Sequence, residues 1–338
     1  MQLAVNLVPW EAGQLARAAE QAGYAAVLAP EGLRSEAAAV LGLVAGMTER
    51  VELISGVMQI PGRPPGMAAL TAATLNAVSG GRFRLGLGVS NPDVSLGWYG
   101  VPFDRPLGRI REYVDIVRQA LSGAPVMYQG EHFEVGTSGP LRLLTEPSGG
   151  RVPVLLAAVG PRSLRLAGEI ADGWLGVFTS PEAVTEAVGH IRKGRGSRGL
   201  DGFEVLPSLP TAVADTVQEA ADLVRGHYVH LMGIGDPARN VYCALARSMG
   251  YEAEVDRFAE RIEAGDRRGA GAVLPLGLLD RTALLGPVGR IADRMRAYAE
   301  AGVTRLGIMV SAAATGPEGR LAIVRAAAHA LESSGAAD

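Results

Sequence analysis

The chain has 338 residues, of which 48% are hydrophobic and 20% charged, and its formal net charge at pH 7 is −3. Nucleic-acid binding requires dense phosphate neutralisation by Lys and Arg, so this slightly acidic chain is not expected to bind nucleic acid. The single cysteine, Cys243, excludes an intrachain disulfide and favours the cytoplasm. We expect neither secretion nor membrane insertion, because the N-terminal segment lacks a basic region and no uncharged run reaches spanning length.

Short apolar runs of strand length alternate with segments of helical spacing along the whole chain. In one such segment Leu107, Ile110 and Val114 share a face. The predicted strands lie at 3–7, 25–29, 51–57, 83–88, 152–158, 172–178, 203–213 and 305–310. Eight consecutive strand–helix units predict an α/β protein, specifically a (β/α)₈ TIM barrel with its active site at the carboxyl ends of the strands.

Two segments interrupt this alternation. Residues 122–150 are rich in Gly and Pro and predict a hairpin-like insertion. Residues 226–275 predict a helical insertion, with helices around 238–248 and 251–265. Insertions of this kind decorate the loops of a barrel and often shape its site. Since no linker separates the pieces, we predict a single domain over residues 1–338.

Several barrel chemistries find little support in the residues. Lys193 is the only lysine and lies in a predicted solvated loop, so a Schiff-base mechanism is not expected. His227 and His230 could share a helix face, but a polar helix surface is the favoured interpretation, and no metal site is predicted. Only Glu31 and Asp93 could supply strand-end carboxylates. The mouth of the predicted barrel, at the carboxyl ends of its strands, is therefore poor in ionisable groups. Such a site suits a flat cofactor that performs the chemistry itself.

Five segments in order resemble a known family. The first contains a Gly–hydrophobic pair (Gly56–Val57), a Pro-rich turn, an AATL helix, a Ser-Gly-Gly-Arg turn and an LGLG strand. The five segments are 49–92, 97–118, 157–182, 240–251 and 284–310. Together they resemble the luciferase-like monooxygenase superfamily, in particular its coenzyme F420-dependent branch of methylenetetrahydromethanopterin reductase-like enzymes. The resemblance covers nearly the whole chain.

The resemblance implies a cofactor site at the barrel mouth. It assigns to Gly56–Val57 a cis peptide behind the cofactor ring, although Gly56 alone could merely let the strand turn. It assigns the cofactor phosphate to the turn Ala158, Val159 and Gly160. Pro161 suits the first position of the helix that follows, whose free N–H groups favour an anion. Thr179, after the sixth strand, is a further candidate donor to the phosphate.

Other candidate residues surround this site. Gly86 and Gly88 are expected to allow close approach of the fourth strand to the cofactor. The candidate cofactor-binding set is completed by Ser55, Gly88 and Ser90.

Glu31 ends the second strand and is the candidate catalytic residue, either bonding the cofactor ring or relaying a proton. Taken alone, it could equally be a solvated loop residue. Many relatives have an acidic residue there, some of them as an Asp-His pair, and the absence of that pair means that their proton-relay assignments do not transfer. The candidate substrate-lining residues are Asn6, Trp10, Asn91 and Trp98. The two tryptophans could instead serve in structural packing.

The resemblance implies an F420-dependent oxidoreductase that transfers hydride between a deazaflavin and a small organic substrate. The alternative is an FMN-dependent monooxygenase of the same superfamily, which would have a flavin reductase as its partner. A catalytically idle barrel with a binding or structural role is a third possibility, because clear acid–base residues are scarce. The family also implies a homodimer. Nothing in the sequence identifies the substrate.

Overall fold

A computed structural model describes residues 1–145 and 148–337, and its centre is a closed barrel of eight parallel strands. The strands are β1 (Gln2–Asn6), β2 (Ala26–Ala29), β3 (Glu52–Ser55), β4 (Phe83–Gly88), β5 (Val154–Ala157), β6 (Gly173–Val177), β7 (Glu204–Val213) and β8 (Arg305–Met309). Each strand pairs with the next, and β8 closes the ring by pairing with β1, where Leu306 lies opposite Leu3. The predicted (β/α)₈ barrel is therefore confirmed.

Helices follow the strands and surround the barrel. They are α1 (Ala12–Gln21), α2 (Ala37–Ala45), α3 (Pro65–Val78), α4 (Pro92–Gly97), α5 (Pro106–Leu121), α6 (Pro161–Ile170), α7 (Pro181–Arg195), α8 (Val217–Met232), α9 (Val241–Ser248), α10 (Glu252–Glu263), α11 (Arg267–Val273), α12 (Leu276–Arg281), α13 (Val288–Glu300) and α14 (Pro317–Ser334). Short 3₁₀ turns span Pro9–Glu11, Ile60–Gly62, Gly196–Arg198 and Val310–Ala312. The predicted apolar face of α5 is buried at Ile110, Val114 and Val117. Lys193 lies exposed in the last turn of α7 rather than in a loop, because the helix extends to Arg195.

The two predicted insertions contain regular structure. Within 122–150, Tyr128–Gln129 pairs antiparallel with Glu134–Val135, while Glu146 and Pro147 lie outside the described residues. Within 226–275 lie the last turns of α8 and all of α9, α10 and α11. The assignment of 1–338 to one domain stays a prediction.

Two short strands were not predicted. Leu284–Gly286 pairs in parallel with the end of β7, and Met58–Gln59 pairs with the end of β4. The predicted strand 51–57 therefore stops at Ser55 and resumes after a break.

A buried ion-pair network closes the amino end of the barrel. Arg305 lies 2.7 Å from a Glu52 carboxylate oxygen and 2.9 Å from one of Glu204, and Arg84 also pairs with Glu52. These side chains belong to the first residues of β3, β7 and β8 and to β4, so their charges are neutralised within the interior. In the described parts of the chain, no helix has both the length and the apolar character needed to cross a membrane.

Candidate active site

The mouth of the barrel is formed by the last inward-facing residue of each strand. The apolar middle of the interior contains Ala4, Ala26, Leu28, Ile54, Leu155, Leu175 and Leu206. Because side chains alternate along a strand, the residues two positions further on face the mouth. They include Asn6, Gly56, Gly88, Ala157, Val177, Ser208 and Met309. This ring is small and mostly apolar, as expected for a surface that supports a flat ligand.

The floor of the mouth depends on close packing between β3 and β4. The Ser55 hydroxyl donates to the Gly86 carbonyl (2.9 Å) and accepts from the Gly86 N–H (2.8 Å). A Cβ atom at Gly88 would lie 2.6 Å from Val57 Cγ2. The peptide between Gly56 and Val57 is cis, as the sequence resemblance implied. Val57 and Ala157 are partly buried and pack over the middle layer, so they present an apolar surface to the mouth.

Glu31 is buried and fully engaged by its neighbours. Its carboxylate accepts from the Gln59 N–H at 2.8 Å and from the Ala37 N–H at 3.4 Å, and it pairs with Arg63. Burial raises the pKa of Glu31 above its ordinary value, and these hydrogen bonds and the Arg63 charge partly offset that rise. Glu31 is therefore not a solvated loop residue. Its contacts hold the β2 loop against the segment after β3.

Ser90 is connected to the same network. Its hydroxyl donates to the Gln59 side-chain oxygen (2.5 Å), and the Gln59 amide nitrogen donates to the Glu31 carbonyl (3.0 Å). Ser90 has a φ of 68°, in the left-handed region that residues other than glycine rarely adopt. The loops after β2, β3 and β4 are thus joined by one chain of hydrogen bonds.

The turn after β5 has the geometry of an anion site. Gly160 is the N-cap of α6, and Pro161 occupies the first helical position. The Ser163 hydroxyl accepts from the N–H groups of Val159 (3.2 Å) and Gly160 (3.1 Å), so these two amides, predicted to hold a phosphate, already have an acceptor. The amides of the first helical turn lack intrahelical partners and carry the positive end of the helix dipole. The Ala158 carbonyl accepts from the Trp174 indole (2.8 Å), which fixes the turn against β6.

Thr179 follows β6, the strand that pairs with β5. The residue is buried, and its Oγ1 has no hydrogen-bond partner among the described residues. Its carbonyl accepts from the Tyr298 hydroxyl (2.8 Å), so the backbone is held in place. Buried hydroxyls are normally hydrogen-bonded, and a ligand would supply the missing partner.

Asn6 presents a second buried polar atom without a partner. The side chain follows Ala4 on the inward face of β1, and its Oδ1 makes no hydrogen bond within the described chain. The residue is almost completely buried. Asn6 therefore has free hydrogen-bonding capacity at the mouth, as its predicted substrate-lining role requires.

The tryptophans predicted at the mouth are both exposed. Trp10 and Trp98 each expose 68% of their surface, so neither is a core packing residue. Arg320 hydrogen-bonds Glu11 and lowers the pKa of that carboxyl, and the Trp10 indole makes a smaller contribution of the same sign. Asn91 caps α4 by accepting from the Val94 N–H (2.9 Å), which gives this predicted substrate-lining side chain a structural role.

The helical insertion reaches across to the loop after β4. Arg239 lies 2.8 Å from the Asp93 carboxylate, which also accepts from the Asp236 N–H at 3.4 Å. Asp93 is thus paired and not available as one of two opposed catalytic carboxylates. This contact holds the 233–240 segment next to the mouth.

Sequence reasoning missed several residues of the site. Ser208, Val177 and Met309 complete the mouth ring, and the alternation of side chains along β6, β7 and β8 could have identified them. Arg63, the partner of Glu31, is 32 residues away and carries no local signal.

Comparisons with known proteins agree with this architecture. Residues 6–305 match the family described as luciferase-like monooxygenase. A protein of Mycobacterium tuberculosis with the provisional name coenzyme F420-dependent oxidoreductase is 34% identical over 336 residues, covering 93% of this chain and 96% of the relative. The coenzyme F420-dependent tetrahydromethanopterin reductase structure from Methanopyrus kandleri has a TM-score of 0.84 at 23% identity, covering 97% of both chains.

An FMN complex has the same fold. It is the oxygenating constituent of 3,6-diketocamphane monooxygenase from Pseudomonas putida, with a TM-score of 0.70 at 16% identity, covering 99% of this chain and 98% of that one. At such identity the likeness shows the fold alone. The family match, in contrast, spans most of the sequence. The chain belongs to the luciferase-like monooxygenase family.

Proposed function

We propose that this protein is an F420-dependent oxidoreductase acting on a small organic substrate. The observation that carries the proposal is the buried Thr179 hydroxyl, which has no partner among the described residues. Thr179 follows β6, and β6 pairs with β5, the strand that leads into α6. A phosphate would accept hydrogen bonds both from this hydroxyl and from the amides that open α6. The F420-dependent name of the 34% identical relative supports a deazaflavin in this place.

The residues at the mouth fit such a group. The apolar floor of Val57 and Ala157 is suited to the back of a planar ring, and Gly88 leaves room for it. Thr179 and the amides that open α6 would hold the phosphate. When bound, a deazaflavin supplies the hydride acceptor or donor at C5. The exposed Trp10 and the unpaired Asn6 Oδ1 would orient the substrate above it.

In this proposal Glu31 positions a loop and does not take part in the chemistry. Its carboxylate accepts from Gln59 and pairs with Arg63, so it orders the loop beside the ring. Ser90 extends that order to β4 through Gln59. Ser55 acts from beneath the floor, through its two hydrogen bonds with Gly86.

The outer faces of α2 and α3 support a homodimer. Neither helix contains a charged residue. Leu43 on α2 and Met67, Leu70 and Val78 on α3 are all more than two-fifths exposed. A surface of this kind is expected to be covered, and the family resemblance implies that a second copy of the chain covers it.

We place the protein in the cytoplasm, which suits its single buried thiol, Cys243.

Parallel titration of the purified protein with F420 and FMN tests the proposal. Changes in cofactor fluorescence report each affinity. We expect F420 to bind at least about tenfold more tightly than FMN, a difference of about 1.4 kcal/mol. Preferred binding of FMN would favour the flavin-dependent monooxygenase. Binding of neither cofactor, in any redox state, would favour the catalytically idle barrel.

A further inference from the structure

Asn6 has apolar neighbours on both adjacent strands. On β2 it lies opposite Leu28, and the register of β1 with β8 brings Met309 next to it. Neither neighbour offers a hydrogen-bond donor, and the Asn6 Oδ1 has no partner among the residues that the structure describes. Only 6% of the Asn6 surface is exposed. A buried carboxamide oxygen without a partner does not stabilise the fold, so a ligand is the reason we infer for its presence.

Ser208 directs its hydroxyl toward the strand that carries Asn6. Gly307 of β8 pairs with Ala4 on β1 and with Ser208 on β7, so it lies between the two polar side chains. A Cβ atom at Gly307 would overlap the Ser208 hydroxyl, which therefore lies over the glycine. Ser208 is 5% exposed. The missing side chain at Gly307 thus leaves room for a second buried polar group beside Asn6.

These two side chains lie across the mouth from its apolar floor. Leu28 lies between Asn6 and the floor, because a Cβ atom at Gly56 would be 3.1 Å from the Leu28 Cβ. Ser208 belongs to β7, which is four positions from β3 in the ring of eight strands. A planar ring that rests on Val57 would therefore turn its free face toward Asn6 and Ser208. A substrate has to occupy the space above that face.

The acidic side chains of the loops after β1, β2 and β4 are each paired with an arginine. An ammonium group bound beside Asn6 would thus find no free carboxylate in these loops, and an unpaired buried charge is costly. The pairs are Glu11 with Arg320, Glu31 and Glu36 with Arg63, Asp93 with Arg239, and Asp104 with Arg109.

We propose that Asn6 and Ser208 bind the oxygen of an alcohol or ketone, and that the substrate is an uncharged molecule with such a group. A carboxamide and a hydroxyl each offer a donor and an acceptor. The hydroxyl of an alcohol supplies the donor that the Asn6 Oδ1 lacks, and a ketone oxygen accepts from the carboxamide N–H or from Ser208. The identification of the ligand as the substrate rests on the proposed function.

Titration of the protein with cyclohexanol and with cyclohexylammonium, followed by NMR of the probe, tests the proposal. The two probes have the same ring and differ in the charge of the head group. We expect cyclohexanol to bind about tenfold or more tightly, and Asn6→Ala to weaken its binding about tenfold. Ser208→Ala should weaken it severalfold. Asn76→Ala is the matched control, because Asn76 is also buried with an unpaired Oδ1 but lies on α3; it should bind cyclohexanol unchanged.

Thermal unfolding separates a binding role of Asn6 from a structural one. Because its Oδ1 has no partner among the described residues, Asn6→Ala should unfold at the same temperature as the wild type or higher. A clearly lower unfolding temperature would show that Asn6 supports the fold and would contradict the proposal. So would an absence of cyclohexanol binding, equal binding of the two probes, or undiminished binding in both Asn6→Ala and Ser208→Ala.

Titrations with and without F420 distinguish this inference from the proposed function. A loss of F420 affinity in Asn6→Ala as large as the loss of cyclohexanol affinity would assign Asn6 to the cofactor and overturn the proposal. If F420 does not bind but Asn6→Ala still weakens cyclohexanol binding to the cofactor-free protein, the proposed function fails and the alcohol site stands.

Discussion

The hydroxyl of Ser55 is hydrogen-bonded to both backbone groups of Gly86, as donor to the carbonyl and acceptor from the amide. This side chain is completely buried and takes the place of a backbone pair between β3 and β4. The arrangement requires the two strands to approach closely, and only glycine permits that at position 86. The floor of the mouth is built on this contact.

Gly86→Ala is predicted to destabilise the protein. Its Cβ atom would overlap the Ser55 carbonyl oxygen and crowd Leu175, so we expect a loss of about 1–3 kcal/mol in the free energy of unfolding. Urea denaturation measures this value. Gly189→Ala is the control, since a Cβ atom at that helical position meets nothing within 4 Å, and it should be neutral or stabilising. Equal stability of the two variants would contradict the account.

Thr179→Val should weaken F420 binding without destabilising the protein. The hydroxyl has no partner among the residues that the structure describes, so we expect its removal not to destabilise the fold. A lost charge-assisted hydrogen bond to phosphate should raise the dissociation constant by about tenfold to a hundredfold. Fluorescence titration gives the constant, and thermal unfolding checks the fold. Thr179→Ser keeps the hydroxyl and should bind F420 nearly as well; if it binds as poorly as Thr179→Val, the hydroxyl is not the ligand contact.

Ionisation of Glu31 should lower the stability of the protein as the pH rises. Because burial raises its pKa in the folded state, its contribution is complete below the ordinary glutamate value and is lost as the pH rises through the folded-state value. We expect the wild-type protein to lose stability relative to Glu31→Gln as the pH rises from the ordinary glutamate pKa, about 4.3, through the higher folded-state pKa. Urea denaturation across this range measures the difference. If the wild type instead gained stability relative to Glu31→Gln as the pH rises, the expected direction would be wrong.

Leu70→Glu is predicted to separate the proposed dimer. Leu70 lies on the exposed apolar face of α3, where a charged side chain would remain unpaired at the interface. Sedimentation velocity should show a dimer for the wild type and a monomer for the variant. Leu144→Glu places the same charge on an exposed leucine that belongs to neither α2 nor α3, and it should remain dimeric. A monomeric wild type would exclude the proposed face as a dimer interface.

Most of the fold could be predicted from local pattern, whereas the contacts of the site could not. The alternation of apolar runs and helical spacing identified all eight strands, because each unit carries its own periodicity. The role of Glu31 depends on Arg63, and these two side chains meet only when the barrel closes. The unpaired Oγ1 of Thr179 is a property of three-dimensional surroundings that no sequence spacing encodes.

A crystal structure of the F420 complex would show where the cofactor binds. We expect the deazaflavin ring over Val57 and Ala157, with its phosphate within hydrogen-bonding distance of Thr179 Oγ1 and the amides that open α6. A phosphate bound elsewhere, with Thr179 still unpaired, would contradict it.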